Sequence, residues 1–213
     1  MNTKTLYDIT VPTHPELPVW KDDNKAKIWQ SARISQGDIC NVSNLRMGVH
    51  TGTHIDAPLH FIDGGKTTNE IPLHQLIGAC FVVELEGRKE ITAQGLAALE
   101  IPSGTTKLLI KTDNSDLWKD LSHPFYEDYC ALTTDAAEWV RDVGISLIGI
   151  DYLSISLFKD PPEVVHQILL KAEIVIVEGL NLTDVPTGNY RLLCLPMKVE
   201  GVDGIPARVV LER

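Results

Sequence analysis

Residues 50–61 read His-Thr-Gly-Thr-His-Ile-Asp-Ala-Pro-Leu-His-Phe, which puts three imidazoles and a carboxylate within eleven positions. Those side chains are the ligand chemistry of zinc, manganese or iron, and a site built from them with one position left open activates water. His50, His54, Asp56 and His60 carry even numbers, so an extended strand would point them to one face. It would also spread them over about 33 Å, at roughly 3.3 Å per residue, too far for one site. The segment therefore has to turn. Gly52 reaches dihedrals closed to other residues and Pro58 fixes its own φ, so both supply bends. The spacing predicts a strand ending near His50, then a tight turn and irregular or short helical backbone. Thr51 and Thr53 can bond backbone groups in that turn. Asp56 has two oxygens and can bridge two metals. Of seven histidines in the chain, three fall in this one segment, beside Asp56 and with the turn formers Gly52 and Pro58 among them, a pattern that favours ligands over a polar loop. Each ligating imidazole needs a carbonyl or carboxylate for its other N–H, and the sequence does not identify those partners.

One loop rarely closes a catalytic centre alone, so the second half should complete it. Ile174 to Val177 reads as a buried strand with Glu178 at its end, where a carboxylate is costly unless paired or metal-bound. His166 lies in a short helical pattern that follows Pro161 and Pro162.

The segment at 50–61 resembles the signature of the cyclase-family metal-dependent hydrolases, a group that includes bacterial kynurenine formamidase and is similar to isatin hydrolase. The resemblance runs over nearly the whole chain, from Tyr7–Thr10 and Pro18–Trp20 through Gly149–Ser154 and His166–Leu170 to Glu178–Leu182 and Gly201–Arg208. It implies a mixed α/β fold of the swivelling β/β/α type. It implies one or two divalent ions per chain, zinc or manganese. His50, His54 and Asp56 would hold the first ion, and Asp56, His166 and Glu178 the second. His60 is either the group that shuttles a proton to the leaving nitrogen or a further ligand. Trp20 either stacks on the substrate or anchors the core; the family loop it resembles often continues Pro-Gly, where this chain has Lys21 and Asp22. The reaction implied is attack of metal-activated water on a small-molecule amide, foremost arylformamidase action on N-formyl-L-kynurenine. Opening of another cyclic or aryl amide, as in isatin hydrolysis, and metal binding without turnover remain as alternatives.

A chain of 213 residues with 44% hydrophobic residues is a single globular domain, residues 1–213, large enough for a real core. Its net charge of −10 argues against nucleic-acid or anionic-membrane partners. No apolar run reaches transmembrane length, and the first residues lack an apolar signal core; a cytoplasmic homo-oligomer is expected. Cys40, Cys80, Cys130 and Cys194 are too scattered for a zinc ribbon or a disulfide framework, so free thiols are expected. The pattern gives strands over 43–49, 79–86, 107–112, 145–150, 191–199 and 206–212. Helices are expected over 92–100, with Thr92 as N-cap, and over 134–143, capped by Thr133 or Thr134 and closed by Gly144. Strands outnumber helices without regular alternation. His74 reads as a structural helix residue and His14 as exposed. Asp151 reads as a hydrogen-bonding anchor near Ser154, and His123 as a loop residue within possible reach of substrate.

Overall fold

The structure, a computed structural model, describes residues 4–21, 23–121 and 124–213. The expectations placed on Asp22 and His123 lie outside the described residues. The elements in chain order are β1 (Leu6–Asp8), β2 (Lys27–Ala32), β3 (Val42–Arg46), β4 (His54–Asp56), α1 (Leu73–Leu76), β5 (Ile77–Leu85), β6 (Glu90–Ile91), α2 (Ala93–Ala97), β7 (Lys107–Thr112), β8 (Ala131–Leu132), α3 (Thr134–Asp142), β9 (Leu147–Ile150), α4 (Pro162–Lys171), β10 (Val175–Glu178), β11 (Gly188–Pro196) and β12 (Gly204–Glu212).

Eight strands form one sheet in the order β1-β12-β11-β5-β7-β9-β10-β4, and β4 pairs with β12 as well as with β10. The seven strands from β12 to β4 therefore close into a barrel, and β1 adds to β12 beyond the stretch that pairs with β4. β5, β7, β9 and β10 run parallel, and the remaining pairs are antiparallel. This is the strand-rich mixed α/β arrangement that the sequence implied.

Side-chain alternation along these strands builds two apolar layers. Ile55, Val82, Leu109, Leu147, Val175, Val177, Leu192, Ile205 and Val209 fill the barrel interior. Phe81, Val83, Leu108, Ile110, Ile148, Ile150 and Ile176 face the other way and pack against Leu96, Ala136, Ala137, Val140, Val165, Leu169 and Leu170 of the helices. By the same alternation, His54 and Asp56 flank inward-pointing Ile55, and Glu178 follows inward-pointing Val177. All three acidic and imidazole groups are thus delivered to the outer, helix-covered face of the wall.

The local signals act as expected in several places. Thr92 accepts a hydrogen bond from Gly95 N at 3.1 Å and caps α2. That helix stops at Ala97 rather than continuing to residue 100; the chain turns toward Pro102, which disfavours helical backbone before it. Gly144 closes α3 with φ +83°. Asp151, buried beyond β9, accepts from Thr112 N at 2.7 Å, Thr112 Oγ1 at 2.8 Å and Ser115 Oγ at 2.7 Å. It ties the ends of β7 and β9 together and is structural. His74 sits exposed on α1 and His14 is exposed. The strand expected over 43–49 is corrected: β3 ends at Arg46, and His50 comes from a turn in which Thr51 N bonds Gly48 O at 3.3 Å.

No helix among the described residues is long and apolar enough to cross a membrane. All four cysteines are free; Cys40 is exposed and the others are buried, and burial pushes the thiols of Cys80, Cys130 and Cys194 up to about 12. Titration of native protein should therefore count one fast thiol and three more only on unfolding. Two fast thiols would contradict the buried packing.

Candidate metal centre

β4 and β10 pair antiparallel with His54 opposite Glu178 and Asp56 opposite Ile176. This register sets His54, Asp56 and Glu178 side by side on the outer face. α4 lies over them. Its buried residues are Val165, His166, Leu169 and Leu170, a helical stripe in which one position carries an imidazole in place of an aliphatic. Proline at the start of α4 fits there because a first-turn N–H has no helical partner to lose.

Two imidazoles are fixed by backbone carbonyls. His54 Nδ1 donates to Gly52 O at 2.8 Å, and His166 Nδ1 donates to Pro162 O at 2.6 Å with Ser156 Oγ at 3.0 Å. A neutral imidazole has one N–H, so each ring turns its Nε2 lone pair inward. His54 Nε2 lies 3.4 Å from Asp56 Oδ1 and 3.3 Å from Glu178 Oε2. His166 Nε2 lies 3.3 Å from Glu178 Oε1 and 3.8 Å from Asp56 Oδ2. His50 adds Nδ1 at 2.9 Å from Asp56 Oδ1. Ile155 N donates to Glu178 Oε1 at 2.7 Å.

The centre is therefore a convergence of acceptors in a buried place. Asp56 is 0% exposed and Glu178 4%, and two carboxylates removed from water are costly without positive charge between them. His54 Nε2 and Asp56 Oδ2 are buried with no hydrogen-bond partner. A cation resolves both problems. Without a metal, protons do so. Burial opposes a charge on His54, yet hydrogen bonds and attraction from Asp56 and Glu178 lift it to about 10. The same balance raises His50 through Asp56 and His166 through Glu178. Burial would raise Asp56, but His50 and His54 hold it well below the usual carboxylate range. The donor set thus fits a divalent ion, and three triads of donor atoms each lie within 4.8 Å of one another: His50, His54, Asp56; Asp56, His60, His166; and His50, His60, Asp203.

His60 ends a short 3-10 turn that Pro58 begins. Its ring stacks on His50 at 4.0 Å between centroids, and burial pushes its pKa down. Beside it opens a cavity of about 250 Å³ lined by Trp20, Phe61, Leu153, Ser154, His166 and Glu178, among others. Trp20 packs edge-on against Phe125 at 5.0 Å and still borders the cavity, so it serves both as an anchor and as a wall.

The sequence model of the cyclase family matches residues 7–156. Cyclase-like protein 1 of Arabidopsis thaliana is 36% identical over 97% of this chain and 84% of its own length. A kynurenine formamidase of Salinibacter ruber is 33% identical over 97% of this chain and 96% of its own. This chain belongs to the cyclase family of metal-dependent hydrolases. A protein described as a predicted metal-dependent hydrolase from Bacillus stearothermophilus superposes with TM-score 0.84 at 36% identity, covering 99% of this chain and 98% of that one. Isatin hydrolase A from Ralstonia solanacearum shares the fold, with TM-score 0.83 at 23% identity over 98% and 92% of the two chains.

The six residues expected to bind metal or move protons in this cyclase-family chain, His50, His54, Asp56, His60, His166 and Glu178, come together. One neighbour was not anticipated. Asp203 Oδ2 lies 2.8 Å from His50 Nε2 and 3.2 Å from His60 Nδ1. Between Gly201 and Gly204 an aspartate reads as ordinary turn composition. The available signal was Gly204, where a Cβ would stand 2.3 Å from His50 Cε1. Gly179 is a second such position: its φ is +68° and a Cβ would meet Gly52 O at 2.3 Å, so the turn holding His54 rests directly on backbone.

Proposed function

We propose that this chain hydrolyses the amide bond of an aryl formamide, foremost N-formyl-L-kynurenine, with zinc or manganese as the metal. The observation that carries the reading is the cavity itself: its lining combines His166, Glu178, His50 and His60 with the apolar Trp20, Phe61 and Leu153. A flat ring against apolar walls beside a cluster of ionic donors suits a planar aryl amide. Kynurenine formamidases among the relatives, at 31–33% identity over nearly the whole chain, support the formamide.

His50, His54 and Asp56 would hold one ion, and Asp56, His166 and Glu178 a second. A divalent cation there supplies Lewis acidity and makes water acidic enough to serve as nucleophile near neutral pH. Trp20 and Phe61 orient the aryl ring. His60, neutral because burial holds its pKa down, moves the proton. Water oxygen bonds to the carbonyl carbon while His60 Nε2 takes a proton from it. The C–N bond then breaks as that proton passes to the leaving nitrogen, which yields the arylamine and formic acid; the acid gives up the second water proton to solvent and leaves as formate.

The same proposal includes a cytoplasmic homo-oligomer. Hairpin β2–β3 presents Ile28, Trp29, Val42 and Leu45 as exposed side chains, with Ile34 and Ile39 exposed in its loop. A two-stranded hairpin is marginal without support, and an apolar surface of this kind suits burial against another subunit.

Metal-reconstituted protein assayed on N-formyl-L-kynurenine, isatin and simple aryl formamides tests the reading. N-formyl-L-kynurenine should be turned over fastest, and turnover of isatin alone would replace the proposed substrate. His60→Ala should keep its metal and lose about 10²–10⁴-fold in kcat, the range for a general acid–base group. Metal lost in step with activity would make His60 a ligand instead.

A further inference from the structure

A single carboxylate oxygen joins two imidazoles beside the cavity. Asp203 Oδ2 receives His50 Nε2 at 2.8 Å and His60 Nδ1 at 3.2 Å. The two rings lie nearly parallel, 29° apart. An ionised carboxylate only accepts, so each ring must be the donor. For neutral His60 this uses its one N–H, which leaves Nε2 with a lone pair and no protein hydrogen bond among those described. Asp203 is 40% exposed at its side chain, so keeping it charged costs little. It faces the outer nitrogen of His50, on the side away from Asp56.

The backbone holds this oxygen in place. Asp203 O accepts from Ala57 N at 2.9 Å, one residue beyond β4, and Val202 O accepts from Thr68 N at 3.0 Å. Gly204 then pairs with Asp56 in the barrel register, and its missing side chain is what admits the His50 ring. Asp203 is thus set by the same strand pairing that sets Asp56.

We propose that Asp203 is a positioning residue for the hydrolysis proposed above: it fixes His60 as the Nδ1–H tautomer, so that Nε2 is the nitrogen that carries the proton, and it orients His50 by the same oxygen. It acts through the imidazoles: it does not line the cavity and is not among the residues proposed to hold the metal. Outer partners of this kind are typically worth 10–100-fold.

The test uses zinc-loaded wild type, Asp203→Ala and Asp203→Asn, with three readouts on each sample: zinc content, kcat and KM on the best substrate of the panel, and the ¹⁵N–¹H long-range spectrum of the histidine rings. Wild type should show His60 as the Nδ1–H tautomer. Asp203→Ala should keep zinc within about 20% and KM within about twofold, lose about 10–100-fold in kcat, and show His60 shifted to the Nε2–H form or a mixture. Asp203→Asn keeps an acceptor oxygen without the charge, so it should hold the tautomer and recover part of kcat. It also guards against a misfolded alanine variant. An unchanged His60 tautomer in Asp203→Ala, or zinc lost in step with activity, overturns the proposal; the second result would make Asp203 a ligand or a structural prop. The ring spectrum needs no substrate, so a wild type that hydrolyses nothing in the panel would sink the hydrolase reading while leaving the Asp203–His60 clamp separately testable.

Discussion

Asp56→Ala protein, purified and reconstituted with zinc, is expected to hold less than about a tenth of the wild-type metal and to lose at least about 10⁴-fold in activity, since every contribution of the ion to the barrier goes with it. The reason is position. Asp56 lies 2.9 Å from His50 Nδ1, 3.4 Å from His54 Nε2 and 3.8 Å from His166 Nε2, and among the described residues no other acid pairs with all three imidazoles. Alanine there removes the charge on which both halves of the centre depend and leaves Glu178 as the buried acid. Elemental analysis and rate, measured on one sample, decide the matter. Full metal occupancy in Asp56→Ala would mean that the ion sits elsewhere.

Metal-free protein should be least stable where the metal-loaded protein is at its best. His54, lifted to about 10 by Asp56 and Glu178 against the cost of its burial, adds stability that is complete below the unfolded value near 6.5 and is lost as pH rises through 10. His50 and His166 are raised too and work in the same direction. Asp56, held down by His50 and His54 against burial, and Glu178, held down by His166 and His54 against burial and Asp56, contribute stability above about pH 4 that disappears only as pH falls through their folded values. The apo-protein should therefore be most stable between about pH 4.5 and 6.5 and weaken by about 3 kcal/mol by pH 9, at about 1.4 kcal/mol per unit for His54 alone. Metal needs the same nitrogens deprotonated, so occupancy runs the opposite way and falls with acid. Thermal melts with chelator and with zinc at pH 6 and pH 9 test this. The stabilisation by zinc should be larger at pH 9, and an apo-protein that melts higher at pH 9 than at pH 6 would refute the protonated-cluster account.

The clustering of imidazoles and carboxylates was legible because its signals are local. Residues 50–60 crowd three imidazoles and a carboxylate into one span, His166 interrupts an apolar helical stripe, and Glu178 ends an apolar strand. What stayed hidden depends on pairing between distant segments. β1 and β4 are three residues each, too short for any period to register, so the closure of the barrel had no local trace. His50 looked like the end of a strand because alternation from Ser43 runs toward it; the turn at Gly48 decides otherwise. Asp203 lies in the Gly201–Arg208 stretch that carries the family resemblance, but nothing along the chain marks it as a neighbour of His50 and His60. Its role is created by β12 meeting β4, which no window along the chain contains.

The double pairing of β4 also bears on the order of events when the chain folds. Donors at 50–60, 166 and 178 converge only after β10 has found β4, and the strand that follows Asp203 closes the ring. Contacts of such long sequence separation form late and slowly. A nascent chain on the ribosome carries the histidine-rich segment early, with neither Glu178 nor β12 yet available to shape it. His166 and Glu178 thus join the local triad of His50, His54 and Asp56 only once the wall has closed, and an ion that needs the whole set would be loaded late.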